Sequence, residues 1–196
     1  MGYCRYALNN PFDEAYHNEE WGVPLFDDNK HFEFLAMEVM QCGLSWNTIL
    51  KKRKALNEAF EDFQDIEKIA NYSPEKLSEI LRVPNIIKSP RKIATISNNA
   101  KCFLEIQKEF GSFSNYIWNY TNHKMLLYDR EKNPMPTQND LSDKMSKDMK
   151  NRGFRYLGPV VLFSHMQAAG LINDHDLNCP HRRKCMEMIN YKFISE

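Results

Sequence analysis

The sequence predicts an all-α protein. Apolar residues recur at helical spacing almost throughout, no stretch alternates for long enough to read as a strand, and only seven glycines interrupt 196 residues. The elements can be taken in order. Asp27 and Asp28 are placed to cap a helix from about Lys30 to Cys42, with Gly43 at its end. A second helix covers Thr48–Phe60. Ser73-Pro74-Glu75 has the cap-then-proline form of a helix start, and that third helix ends at Val83-Pro84-Asn85. A fourth begins near Ser89-Pro90 and runs towards Phe110-Gly111. Tyr128–Asn139, with two prolines and mixed charges, reads as a surface loop. Leu141–Asn151 is helical again and stops at Gly153, and Gly158–Ala169 is an apolar helix closing at Gly170.

Composition bounds the function classes. Hydrophobic residues make up 42% of the chain, enough for a sizeable core in one domain or two small lobes. No N-terminal apolar run resembles a signal peptide, and no run approaches the ~18 apolar residues of a membrane span, so a cytoplasmic protein is expected. Five cysteines, odd in number and scattered, favour thiols or metal ligands over disulfides. The formal net charge of +0 does not by itself suggest a nucleic-acid partner. The basic residues are nevertheless clustered: Lys51–Lys54 with Arg53 among them, then Lys88, Arg91 and Lys92, then Lys144, Lys147, Lys150, Arg152 and Arg155. Such clusters either touch phosphates or are solvated helix faces balanced by acids.

Residues 32–43 are apolar nearly all round the helix, which predicts burial. Glu38 projects between Phe34 on one side and Leu35 and Cys42 on the other, where a carboxylate is costly unless something pairs with it. That makes it a candidate binding or catalytic group. Glu33 also has apolar neighbours, and periodicity alone does not choose between the two; Glu33 lies nearer the helix start, where a carboxylate favours the dipole and can stay wet. The following "QCGLSW", Gln41 to Trp46, suits a loop that presents apolar and aromatic groups to a ligand, although most tryptophans are simply core.

Two further stretches carry chemistry. "ILRVPNIIKSPRKI", Ile80–Ile93, joins two helices through a short apolar turn and a basic stretch. This is the form of a helix-hairpin-helix, whose turn N–H groups at Asn85, Ile86 and Ile87 would bind a DNA phosphate beside Lys88 and Arg91. Asn85 stands at the first usual glycine position and tolerates a left-handed backbone; Ile87 at the second is a larger departure. Near the C-terminus, "NDHDLNCPHRRKC" spaces His175 four residues before Cys179 and His181 four before Cys185. Spacing alone allows a local four-ligand zinc site there.

Taken together, Cys4, "AYHNEEWGVP" (Ala15–Pro24), "QCGLSW", "LKKR" (Leu50–Arg53), "IIKSPRKI", "RGFRYLGP" (Arg152–Pro159) and "MQAAGLINDH" (Met166–His175) resemble the DNA-3-methyladenine glycosylase I family of helix-hairpin-helix repair enzymes over nearly the whole chain. The resemblance implies one catalytic unit over residues 1–196. A helical lobe of about residues 28–120 would contain the hairpin at 80–93, and residues 1–27 and 121–196 would form a terminal lobe closed by one structural zinc ion. It places the zinc on Cys4, His17, His175 and Cys179, a closed set with no position for a catalytic water. It makes Glu38 the catalytic and base-recognising group. Trp46 and Tyr16 would line the base pocket, with Trp21 and Tyr6 as supporting aromatics and Gly43 and Leu44 wedged into the duplex. Tyr6 stands where the family often has Trp, and Asp13 where it has Tyr. The implied activity is flipping and hydrolytic excision of 3-methyladenine from double-stranded alkylated DNA, with no lyase step, by a monomer working on the nucleoid. Other members of the superfamily use an Asp downstream of the hairpin or a Lys just after it. Here no Asp occurs between Ser89 and Glu109, and Ser89 takes the Lys position. A second class of reading is a non-catalytic, zinc-stabilised DNA-binding module, against which an unpaired Glu38 counts most.

Overall fold

The computed structural model describes residues 4–8, 10–128 and 135–194, with Tyr6 described by its backbone alone. Helices dominate, and their starts are set by local chemistry. Helix α1 (Pro11–Glu19) begins where the Asn10 side chain accepts from the Phe12 and Asp13 N–H groups. Helix α2 (Asp28–Gln41) is capped by Asp27, and α3 (Trp46–Ala59) by Ser45, two residues before the expected start. Then come α4 (Ile66–Ala70), α5 (Pro74–Ile80) and α6 (Pro90–Phe110), the last ended by Gly111 at φ +79°. Helices α7 (Phe113–Asn119), α8 (Asp140–Asn151), α9 (Pro159–Ala168) and α10 (Pro180–Met186) complete the set.

Helix α2 is the axis of the molecule. Every residue from His31 to Met40 is buried, and α3, α6, α7 and α9 all pack on it. Asp28 turns out to serve α7 more than its own helix: its carboxylate accepts from the Phe113 and Ser114 N–H groups and from Gln107 Nε2. That anchors three helices at one side chain. Phe103 stacks on Phe113 at 4.3 Å and meets Phe32 edge-on at 5.1 Å. Buried rings of this kind stabilise by about 3–5 kcal/mol each, judged by truncation.

The fold is not purely α. Three short strands, β1 (Met125–Tyr128), β2 (Ile172–Asn173) and β3 (Tyr191–Ile194), form a parallel sheet in the order β2-β1-β3. They escape a pattern search for a physical reason: β1 is buried along its whole length and so does not alternate, and β2 has only two residues. The stretch expected as a surface loop therefore begins inside a sheet, and the buried Tyr128 hydroxyl accepts from Asn139 Nδ2. Residues 129–134 of that stretch lie outside the described residues.

An N-terminal strap closes over the end of α9. Gly22 and Leu25 donate backbone hydrogen bonds to the carbonyls of Ala168 and Ala169. The approach is so close that a Cβ at Gly170 would sit 2.7 Å from Pro24 N, and φ there is +75°. Glycine is required.

Candidate active site and metal centre

A cleft of about 160 Å³ opens between α2 and α9, lined by Tyr16, Trp21, Glu38, Gln41, Trp46, Ser164, Gln167 and Ala168. Glu38 stands in its wall at 3% exposure, and its Oε2 meets no hydrogen-bond partner. Burial alone pushes its carboxyl up to about 8. Trp46, half-buried as the first residue of α3, reaches the cleft because Gly43 turns the chain at φ +80°. Its ring lies 5.4 Å from that of Tyr16, and its Nε1 is buried without an acceptor. The Tyr16 hydroxyl is held protonated, first by burial and then by the Glu38 charge. Aromatic faces around an unpartnered acid suit a flat guest with polar edges, and a cationic one above all.

Glu33 corrects an expectation. It is not wet: at 5% exposure it accepts from Arg53 Nε at 2.7 Å, Asn57 Nδ2 at 2.8 Å and Lys30 Nζ at 2.8 Å. Against the pull of burial, those donors hold its carboxyl down at about 2. Arg53, from the first basic cluster, also grips both oxygens of Glu20 at 2.6 and 2.7 Å. It is thus neither a solvated cation nor a phosphate contact.

The other cluster members differ. Lys52 Nζ donates to the Asn85 carbonyl, and Lys92 Nζ caps the end of α2 through the carbonyls of Met40 and Cys42. Asn85 takes φ +64° in the connection between α5 and α6, while Ile86 is buried and Ile87 half-buried. Lys88 and Arg91 are exposed beside them, as are Gly43 and Leu44 near the mouth of the cleft.

At the other end of Trp21, Cys4, His17, His175 and Cys179 come together, all buried, with their four ligand atoms within 4.8 Å of one another. His175 Nδ1 lies 3.1 Å from His17 Nε2 and 3.5 Å from Cys4 Sγ, and Cys179 Sγ lies 3.5 Å from His17 Nε2. A tetrahedral zinc would need N–N and N–S edges of about 3.3 and 3.6 Å, so the donor set fits. The surroundings agree. His175 Nε2 pairs with the Trp21 carbonyl at 3.0 Å and His17 Nδ1 with Asn18 Oδ1 at 2.8 Å, which leaves the inner nitrogens as acceptors. Cys4 Sγ accepts the Asp176 N–H, support for a thiolate. The local alternative fails for Cys185, which packs against Met125 and Leu127 instead.

Of the residues singled out from sequence, Tyr16, Trp21, Glu38 and Trp46 share the cleft, while the Tyr6 side chain lies outside the described residues. Asp13 is buried beneath Asn10 and Asn47, both of which donate to it. Gln41, Ser164, Gln167 and Ala168 were not anticipated. The two glutamines fall within stretches that carried the resemblance, "QCGLSW" and "MQAAGLINDH", but nothing in the spacing assigns them a role.

Comparison with known proteins agrees with this picture. A family profile described as methyladenine glycosylase matches residues 6–183. DNA-3-methyladenine glycosylase 1 of Escherichia coli K12 is 36% identical over 180 residues, covering 91% of this chain and 96% of the relative. The Haemophilus influenzae DNA-3-methyladenine glycosylase is 39% identical over 166 residues, 84% and 89% of the two chains. A solved structure of 3-methyladenine DNA glycosylase I from Staphylococcus aureus, described in terms of 3-methyladenine recognition, superposes with a TM-score of 0.85 at 39% identity, covering 93% of this chain and 97% of that one. Another, a variant of 3-methyladenine DNA glycosylase I in complex with 3-methyladenine, gives 0.86 at 38% identity, with 93% and 98% covered. The chain belongs to the methyladenine glycosylase family.

Proposed function

We propose that the protein is a DNA-3-methyladenine glycosylase, a repair enzyme that flips an alkylated nucleotide out of double-stranded DNA and hydrolyses its glycosidic bond. The observation that carries this is the buried Glu38 carboxyl, its Oε2 without a partner, in a cleft that the rings of Tyr16 and Trp46 also line. An N3-methylated adenine in DNA is cationic, so its bond to C1′ is already weakened. When that bond breaks, its electron pair goes to the base, which leaves neutral, and water adds at C1′ with loss of a proton. The enzyme therefore has little to do beyond extruding and holding the base. Burial favours the protonated form of Glu38 in the free protein. A cationic base draws it back to the carboxylate, which accepts hydrogen bonds from the adenine edge while Trp46 stacks on the ring. Lacking an Asp between Ser89 and Glu109 and carrying Ser89 in place of a nucleophilic Lys, the chain is read as monofunctional.

Three finer assignments belong to this reading. Cys4, His17, His175 and Cys179 hold one structural zinc, which ties the chain ends together and supplies no step of the chemistry. Metal analysis should find about one zinc per chain, lost or weakened by Cys4→Ser and Cys179→Ser but kept by Cys185→Ser; the reverse pattern would restore the local site. The α5–α6 connection acts as a helix-hairpin-helix, with Asn85, Ile86, Ile87, Lys88 and Arg91 on a phosphate and with Gly43 and Leu44 at the wedge. Finally, a lobe of about residues 28–120 supplies Glu38, Gln41 and Trp46, and a terminal lobe supplies the facing wall, the whole acting as a monomer on chromosomal DNA.

The test of the activity is direct. Incubation with methylated DNA should release free 3-methyladenine, and Glu38→Gln should slow single-turnover excision by about 30- to 1000-fold, the cost of removing one preorganised charged partner. Near-wild-type excision by that variant would show that charge recognition is not the mechanism.

A further inference from the structure

We infer that the clamp at the chain ends also shapes the pocket, and that Asp174 is a positioning residue for base binding. The inference rests on the pocket reading above. Two adjacent residues of the clamp segment each hold one wall residue. Asp174 Oδ2 accepts from Gln167 Nε2 at 2.7 Å. The His175 ring meets Trp21 edge-on at 4.6 Å, and its Nε2 holds the Trp21 carbonyl. Trp21 and Gln167 line the same cleft as Glu38 and Trp46.

Both walls are rigid, but for different reasons. Glu38 is fixed by the core around α2. The facing wall depends on the segment 173–175, which is locked in turn: Arg182 Nη1 donates to the His175 carbonyl at 2.9 Å, and Asn173 Nδ2 donates to the Arg182 carbonyl at 3.0 Å. Behind Trp21, Gly22 leaves no slack, since a Cβ there would sit 3.0 Å from His175 Nε2. A carboxylate can only accept, so Asp174 fixes the Gln167 amide with its nitrogen towards the clamp and leaves Oε1 as the acceptor end. Stacking and amide contacts lose most of their value when displaced by about 1 Å. A clamp that merely tied the ends would need neither contact.

The test is a double-mutant cycle on the full-length, metal-loaded protein, read by binding of free 3-methyladenine through tryptophan fluorescence. Metal content and thermal melting are followed alongside. Gln167→Leu and Asp174→Ala should each weaken binding by roughly tenfold, and the double variant should bind no more weakly than Gln167→Leu alone. Additive losses, or unchanged binding in Gln167→Leu, would overturn the inference. Should Asp174→Ala strip the metal, the exchange Gln167→Glu/Asp174→Asn decides. It reverses the hydrogen bond while keeping both shapes, so binding within about threefold of wild type supports the coupling, and binding no better than Asp174→Ala refutes it. Glu38→Gln is the control for the pocket. If it slows excision of the cationic base from methylated DNA while the cycle shows no coupling, only this inference falls; if it too leaves excision unchanged, the pocket reading falls as well.

Discussion

Glu33 and Glu38 lie five residues apart on α2, both almost inaccessible, and they have opposite surroundings. Glu33 meets Arg53, Lys30 and Asn57 and is held at about 2. Glu38 faces the cleft with no partner for its Oε2, and burial pushes it up to about 8. Burial therefore does not mark a functional carboxylate. On the function proposed here burial without a partner does, because the energy withheld in the free protein is available to a guest that brings the missing charge.

The sharpest way to break the comparison is to take from Glu33 the cation it shares with Glu20. Arg53→Met leaves the buried Glu33 carboxylate with Lys30 and Asn57 alone, and breaking a buried ion pair costs about 3–5 kcal/mol. Urea unfolding at neutral pH checks this, and a loss below about 1 kcal/mol would mean the network is replaceable. The fraction still folded should excise base normally, since Glu38 draws nothing from Arg53.

The pH dependence of the two residues should run in opposite directions. Glu38 has a folded pKa above its unfolded value, so the folded state holds the extra proton between about 4.5 and 8. Stability therefore falls across that window as pH rises, by up to a few kcal/mol, and levels off above it. The contribution of Glu33 is fully present above about 4.5 and is lost as pH falls towards 2. Glu38→Gln should flatten only the decline below about pH 8 in a series of melts from pH 5 to 9. In the wild type, kcat/KM for excision should climb almost tenfold per pH unit towards 8 and then level off, because the free enzyme must ionise Glu38. A profile that is flat, or that falls as pH rises, would place the active form on the protonated acid.

The smallest effect is expected at Lys30, which touches Glu20 and Glu33 while about a third of its side chain stays in water. Lys30→Ala should cost under about 1 kcal/mol in the same unfolding assay, as exposed pairs do. A larger loss would move Lys30 into the core of the network beside Arg53.

What could be read in advance follows the range of each interaction. Helix α2 was legible because apolar residues crowd nearly every direction from Phe32 onwards, and α6 because Pro90 and Gly111 bracket it locally. The burial of Glu38 was legible for the same reason, whereas its lack of a partner was not, since Glu33 has apolar neighbours too. The pairing of Glu33 was not, since Arg53 lies a helix away inside a basic run that looks solvated. Nor was the pocket role of Ser164 and Gln167, polar residues on an apolar helix whose facing direction is set only once α2 packs against α9. For the metal cluster, spacing offered a local set, and only resemblance pointed to Cys4 and His17, which are 171 and 158 residues from His175.

The strap of residues 22–25 has a consequence in time. Its docking site, the carbonyls of Ala168 and Ala169, is made roughly 150 residues after the strap itself. At about 5–20 residues per second, a ribosome would take roughly 7 to 30 s to supply it. Throughout that interval Trp21 lacks both the α9 residues that share its cleft and the His175 ring it packs against. A chain stalled before Ala168 would keep it so until a chaperone or a protease found it.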